Sequence, residues 1–262
     1  MTVYWDYTNR AATYDARAAY SGAALDKLIS AMGCKPSEPV ADIGAGTGKL
    51  TVPLLDRNLT VIAIEPNDAM REFGIRNTIG RAVSWAKADM HHTGIDDSSV
   101  AHVFFGSSFN VADQQVTLKE AARILKRGGS FVCMWNHRDL SDPLQAEIEN
   151  IFKREVPNYN YGKRRENPTA DIEKSKLFGP INHIEERFLA TLPAQDWVSA
   201  WSSHATVARQ VGEQKMAKIV AEIGRLVGHV KDVTVPYTTV IWYAQCVVDK
   251  TDWQTEPRRE TI

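Results

Sequence analysis

Five apolar runs recur along the first half of the chain, each closed by a polar or glycine-bearing turn: VADIGA (40–45), VIAIEP (61–66), AVSWAKA (82–88), VAHVFFG (100–106) and SFVCMWN (130–136). Unbroken runs of this length fit strands buried on both faces, as in a parallel sheet covered by helices. Helical stretches separate them. In VTLKEAARILKRGG, Leu118, Ala121, Ala122 and Leu125 form a stripe, and Gly128–Gly129 predict a helix stop before the fifth strand. Ahead of the first strand, residues 9–32 carry apolar positions at helical spacing, with Leu25, Leu28, Ile29 and Met32 on one face. Beyond residue 140 the pattern predicts a helix over 143–155, a polar loop NYNYGKRRENPTAD, a strand near HIEERFLATL, and helices over 194–208 and 212–228. The run VTVPYTTVIWYAQCVV (233–248) then alternates, predicting an antiparallel strand that closes the sheet edge with Pro236 near its start.

Strands alternating with helices define an α/β fold, a doubly wound Rossmann-like sheet whose ligands sit at the carboxyl ends of the strands. The expected organisation is a helical lid segment over 1–35, a binding core over 36–140, a substrate-binding cap with the closing strands over 141–250, and a frayed polar tail over 251–262. The two helices between the last two strands read as part of a helical cap completed by the N-terminal segment.

Composition narrows the function classes. The 262 residues carry 31 Lys plus Arg against 32 Asp plus Glu, so no global field draws the chain to nucleic acid or an anionic membrane. A small-molecule substrate follows, and no nucleic-acid or membrane partner is expected; homo-oligomerisation stays open. The sequence has no long uninterrupted apolar window, and MTVYWDYTNRAATYD lacks a basic-then-apolar leader, which predicts a cytoplasmic protein. Cys34, Cys133 and Cys246 are too widely spaced for a zinc ribbon or a redox pair, so no metal is expected.

The chemistry concentrates in VADIGAGTGKL (40–50), where Gly44, Gly46 and Gly48 alternate after Asp42. Alternate glycines let a backbone take unusual dihedrals and pass close to a ligand. A dinucleotide fingerprint would place its third glycine at position 49, which is Lys49, so a pyrophosphate cradle is disfavoured. Glu65 ends the second run about 20 residues after the first glycine, where α/β folds hydrogen-bond a ribose diol. The third run ends at Asp89 and Met90.

With an acid two residues before the first glycine, and two further acids at the ends of the next two strands, the segment resembles the first motifs of class I S-adenosylmethionine-dependent methyltransferases. Two later frames resemble a small-molecule, trans-aconitate methyltransferase-like subgroup: SFNVAD (108–113) before Glu120, Arg123, Leu125 and Lys126, and WNHRDLSDP (135–143). Asn110 and Val111 stand where that pattern has histidine and tryptophan, so the subgroup's substrate does not transfer. The resemblance implies S-adenosyl-L-methionine as cofactor, S-adenosyl-L-homocysteine as product, and a methyltransferase of small metabolites, natural products included. It places Asp42 at the methionine ammonium, Gly44, Gly46 and Gly48 in the loop, Glu65 with Pro66 and Met70 at the ribose, and Asp89 with Met90 at the adenine. Phe109 packs on the cofactor in this reading, and Tyr14 and Arg17 close over its methionine end; the alternative for the last two is a helix-surface pair.

Displacement at an activated sulfonium needs chiefly orientation and, for a hydroxyl or acidic carbon, removal of a proton. Histidine titrates near neutrality without perturbation. His137, directly after the fifth strand, is the first candidate base and His204 on the cap the second; His102, His91, His92, His183 and His229 read as core or loop residues. Asn110, Trp135, Trp197 and Trp201 are candidate substrate contacts, and aromatics such as Trp197, Trp201, Tyr159, Tyr161 and Trp242 fit either a core or a pocket for a bulky apolar or aromatic substrate. The cluster Lys163-Arg164-Arg165 reads as a solvated loop. The competing functions are an S-adenosylmethionine-binding protein without methyl transfer and an NAD-dependent oxidoreductase.

Overall fold

The computed structural model describes residues 7–159 and 166–248. The strands are β1 (Pro39–Ile43), β2 (Thr60–Ile64), β3 (Val83–Ala86), β4 (Val100–Gly106), β5 (Leu125–Arg138), β6 (Asn182–Pro193) and β7 (Asp232–Gln245). They form one seven-stranded sheet in the order β3-β2-β1-β4-β5-β7-β6. The pairs β1–β2, β2–β3, β1–β4 and β4–β5 are parallel, while β7 runs antiparallel to both neighbours. Chain order reverses between β1 and β4, and the crevice beyond their carboxyl ends is where such a sheet takes its ligands.

The apolar runs are buried on both faces as their sequence requires. Ala41, Ile43, Val103, Phe105, Phe131 and Cys133 pack on one side with Leu118, Ala121 and Ala122 of α5 (Gln114–Ile124). Their neighbours Val40, Phe104, Val132 and Met134 pack on the other side with Leu25 and Leu28 of α2 (Gly22–Met32) and Leu54 of α3 (Thr51–Leu55). A third cluster joins α6 (Pro143–Glu155), α8 (Ala194–Trp201), α9 (Ala205–Val211) and α10 (Glu213–Val227) to Val233 and Val235 of β7.

Helix starts follow local chemistry. The side chains of Ser21, Asp113 and Asp142 accept from Ala24 N–H, Gln115 and Val116 N–H, and Gln145 N–H, satisfying donors that the first turn leaves free.

Several boundaries depart from the sequence pattern. Residues 9–32 form not one helix but a short turn at Thr8–Arg10, α1 (Ala11–Asp15) and α2, and the 16–21 link between the helices is bonded to the sheet, Ala19 O accepting from Asn136 Nδ2 and Ser21 N–H donating to Thr239 Oγ. The helix α5 ends at Ile124, and Leu125 is already extended, so Gly128–Gly129 lie within β5 rather than stopping the helix. The predicted 194–208 helix is two helices, α8 and α9, and the last residues of the polar loop, Thr169–Asp171, open a short helix, α7 (Thr169–Ser175). Nor does β7 close the edge: it lies between β5 and β6, and β6 is the edge strand. Pro236 is tolerated there because it lies one residue past the last β5 pair, Arg138 with Tyr237, and its carbonyl accepts from Asp139 N–H. Among the described residues, no helix is long and apolar enough to cross a membrane. Tyr161, Lys163-Arg164-Arg165 and the 251–262 tail lie outside the described residues.

Candidate active site

The glycine loop leaves β1 and turns back over the sheet. Gly44 and Gly46 have φ of +70° and +60°, where a Cβ is strained, and Gly44 N–H and Ala45 N–H both donate to Ile64 O. A Cβ at Gly44 would lie 2.6 Å from Ser108 Cβ, so the first glycine makes room for the end of β4. At Gly46 a Cβ would meet Met70 Cε at 3.2 Å and Tyr14 Cε1 at 3.7 Å, beside the open crevice.

That crevice is a cleft of about 760 Å³ lined by Gly44, Gly46, Glu65, Pro66, Met70, Asp89 and Met90, with Tyr7, Tyr14, Ser107, Ser108, Val111 and Ala112 among the remaining walls. Glu65 is 7% exposed. Its Oε2 accepts from Gly46 N–H at 2.9 Å and its Oε1 from Asn67 N–H at 2.8 Å. Burial raises its proton affinity, and the two backbone donors and Arg71 oppose that. Asp89 Oδ1 accepts from His91 N–H at 2.8 Å and His92 N–H at 3.0 Å, which fixes the loop after β3.

Asp42 lies beneath the loop, fully buried, and not on the cleft wall; Gly48 likewise does not line it. Asp42 Oδ2 accepts from Thr51 Oγ at 2.6 Å, whereas Oδ1 has no hydrogen-bond partner. Desolvation raises its pKa to about 7; the Glu65 charge adds to the rise and the Thr51 hydroxyl opposes it.

A second cleft, of about 850 Å³, adjoins the first and shares Tyr14 and Ser107 with it. Its aromatic walls are Trp135, Trp197, Trp201 and Tyr237, and its polar groups include Arg17, Tyr20, Lys49, Asn136, Arg138 and His204. Tyr20 Oη and Ser107 Oγ are 2.9 Å apart, and Ser107 holds a φ of +59° at the junction. Arg17 donates from Nε to Ser203 Oγ at 2.7 Å and from Nη2 to Ser203 O at 2.9 Å, with its guanidinium 4.3 Å from the Tyr14 ring centroid. Arg138 pairs with Glu149 at 2.5 Å and lies 5.1 Å from the Trp201 ring centroid.

Some candidate residues fall elsewhere. Phe109 is fully buried in an aromatic cluster, 5.0 Å from Phe131 and 5.6 Å from Phe105 between ring centroids; Val111 and Ala112 take the cleft wall instead. His137 and Asn110 line neither cleft. In β5 it is the flanking Asn136 and Arg138 that reach the second cleft. Arg17 lines that cleft rather than the first. His204 lines it too, stacked on Trp201 at 5.1 Å and on Phe152 at 6.1 Å. Trp197 and Trp201 are both core and wall: 2% and 4% exposed, edge to face at 5.8 Å, and part of the cleft lining.

Lys49, Tyr20, Ser107, Arg138 and Tyr237 were not singled out by the sequence. Lys49 had a signal in following the last glycine of the motif, and Arg138 in being a charge at the end of an apolar strand.

The residues of the first cleft fit the nucleoside cofactor that the sequence resemblance implies. A buried carboxylate stands at the end of β2 for a diol, a glycine backbone leaves a ligand-sized approach, and an orphaned carboxylate oxygen lies under the loop.

A family profile described as "Methyltransferase domain" matches residues 41–133. An uncharacterized methyltransferase of Mycobacterium tuberculosis is 33% identical over 139 residues, 53% of this chain and 55% of that protein. A ubiquinone/menaquinone biosynthesis C-methyltransferase of Zymomonas mobilis is 29% identical over 133 residues, 49% of this chain and 53% of its own. The chain thus spans about half the length of the curated relatives it matches. The structure of a putative type II methyltransferase from Anaeromyxobacter dehalogenans superposes with a TM-score of 0.57 at 21% identity, covering 87% of this chain and 97% of the other, which shows the shared fold. The trans-aconitate-like subgroup rests on the two sequence frames alone.

Proposed function

We propose that the chain is a class I S-adenosylmethionine-dependent methyltransferase that transfers a methyl group to an O, N or C centre of a small metabolite with a bulky apolar or aromatic body, a reading supported by the methyltransferase-domain match over residues 41–133, the methyltransferase relatives and the shared fold. The observation that carries this reading is the meeting of two clefts at Tyr14 and Ser107, one with a carboxylate and glycine loop, the other walled by tryptophans.

S-adenosylmethionine supplies, when bound, a methyl carbon already activated by a sulfonium. The chain's own residues bind, orient and exclude water. Glu65 holds the ribose hydroxyls, Asp89 and Met90 meet the adenine, and the Gly44–Gly46 backbone takes the methionine end. Trp135, Trp197, Trp201 and Tyr237 hold the acceptor's apolar body, with its reacting atom toward the Tyr14–Ser107 junction. Where the acceptor is a hydroxyl or a C–H acid, His204 is the histidine on the cleft that takes the proton, since His137 does not line it.

Calorimetry with S-adenosylhomocysteine and with NAD tests the cofactor assignment. Binding of the first alone is expected, and binding of NAD alone would overturn the assignment. Transfer of a labelled methyl group to members of a metabolite library then tests the reaction.

A further inference from the structure

The second cleft is unusual in its charge. Arg17, Lys49 and Arg138 line it, and no Asp or Glu does so among the described residues, although the whole chain is balanced at a net charge of -1. Arg138 is neutralised by the largely buried Glu149 and stacks toward Trp201, so it serves as wall. The other two cations are not matched in this way. Lys49 Nζ lies 4.0 Å from Asp15 Oδ1, beyond hydrogen-bond reach, and its side chain is only 27% exposed. Burial of this amine lowers its proton affinity, with Asp15 partly restoring it. Among the described residues Arg17 bonds to neutral oxygens of Ser203, which fixes the guanidinium without cancelling its charge. The lining of the cleft therefore carries a surplus of positive charge.

We propose that Arg17 and Lys49 form an anion subsite in the second cleft, so that the methyl acceptor is an aromatic or similarly bulky apolar metabolite bearing a carboxylate or phosphate group. This rests on the second cleft being the acceptor site. The anion pairs with Lys49 and Arg17, while the apolar body lies against Trp197 and Trp201.

Three probes separate the outcomes when titrated into the full chain saturated with S-adenosylhomocysteine: 1-naphthoate, 1-naphthyl phosphate and the neutral 1-naphthamide. At least one anion should bind about tenfold or more tighter than the amide, as expected for charge-assisted pairing, and the tighter of the two identifies the group. Lys49→Gln should erase most of that preference, leaving the amide's affinity and that for S-adenosylhomocysteine nearly unchanged, and Arg17→Gln should erase it likewise when measured at saturating S-adenosylhomocysteine. Equal binding of anion and amide, or an anion preference that survives both substitutions, would overturn the subsite while sparing the acceptor cleft. Binding of none of the three, with S-adenosylhomocysteine still bound, would overturn both. A cooperative thermal melt close to that of wild type shows that each variant is folded.

Discussion

Gly46 N–H donates to Glu65 Oε2 at 2.9 Å, a bond that ties the glycine loop after β1 to the acid after β2. Glu65 therefore shapes the loop as well as facing the cleft. Because its two oxygens accept from two backbone N–H groups, an amide at this position would aim a donor at a donor. Both Glu65→Ala and Glu65→Gln should weaken S-adenosylhomocysteine binding by about tenfold or more, a loss consistent with charge-assisted hydrogen bonds of about 1.5–3 kcal/mol each. Calorimetry decides the point: affinity within twofold of wild type in the Gln variant would reduce Glu65 to a replaceable acceptor.

Asp42 makes stability depend on pH. Its folded pKa of about 7 is raised above the ordinary carboxylate value, so the fold binds the proton more tightly than the unfolded chain. Its contribution is most favourable in acid and is lost as pH rises through about 4 to about 7. Asp42→Asn keeps an acceptor for the Thr51 hydroxyl and removes the charge. In thermal melts of the ligand-free chain, Asp42→Asn should unfold at a higher temperature than wild type at pH 8, with the gap closing toward pH 5. A gap that is absent or independent of pH would show that Asp42 is not a strained buried anion.

Gly74, in α4 (Asp68–Asn77), lies flat against the indole of Trp85: a Cβ there would sit 2.1 Å from Trp85 Cη2. Alanine favours a helix interior intrinsically, yet here overpacking wins, because the indole is held by its N–H donating to Thr78 Oγ at 3.0 Å. Gly74→Ala should cost about 1–3 kcal/mol, read from denaturant unfolding. An unchanged or raised midpoint would mean that the ring gives way freely.

The two histidine candidates now separate by position. On an acceptor that must lose a proton, His204→Ala should lower kcat by about 10²-fold or more, and His137→Ala should leave it near wild type. Measurement with chemistry rate-limiting decides between them. A large loss in His137→Ala with an intact fold would restore the base to the end of β5.

The sheet was legible because its strands are buried on both faces and so read as unbroken apolar runs, as at VAHVFFG. The position of β7 was not, since alternation gives a strand's faces and says nothing of whether one neighbour or two will pair with it. Helix ends failed where tertiary structure overrode local signals: Gly128–Gly129 look like a stop, but β4 pairing draws in Leu125 first. In the site, the motif residues Glu65, Asp89 and Met90 reached the first cleft because they sit at strand ends. Phe109 and His137 did not, because one step in a turn or strand reverses the face a side chain presents. Lys49 and Tyr20 converge on the second cleft from segments whose patterns carry no mark of each other.

Tyr14 is a wall of both clefts, and its segment is fastened by Arg10 to Ser202 O and Glu213 and by Arg17 to Ser203. Two ligands that share a wall cannot bind as strangers: whatever factor the nucleoside imposes on the acceptor's affinity, the acceptor returns in equal measure. Turnover then depends on the order in which ligands arrive and leave. On the proposed reading, an acceptor that binds more tightly beside the spent nucleoside slows its release, and inhibition by excess acceptor is the kinetic signature expected of that shared ring.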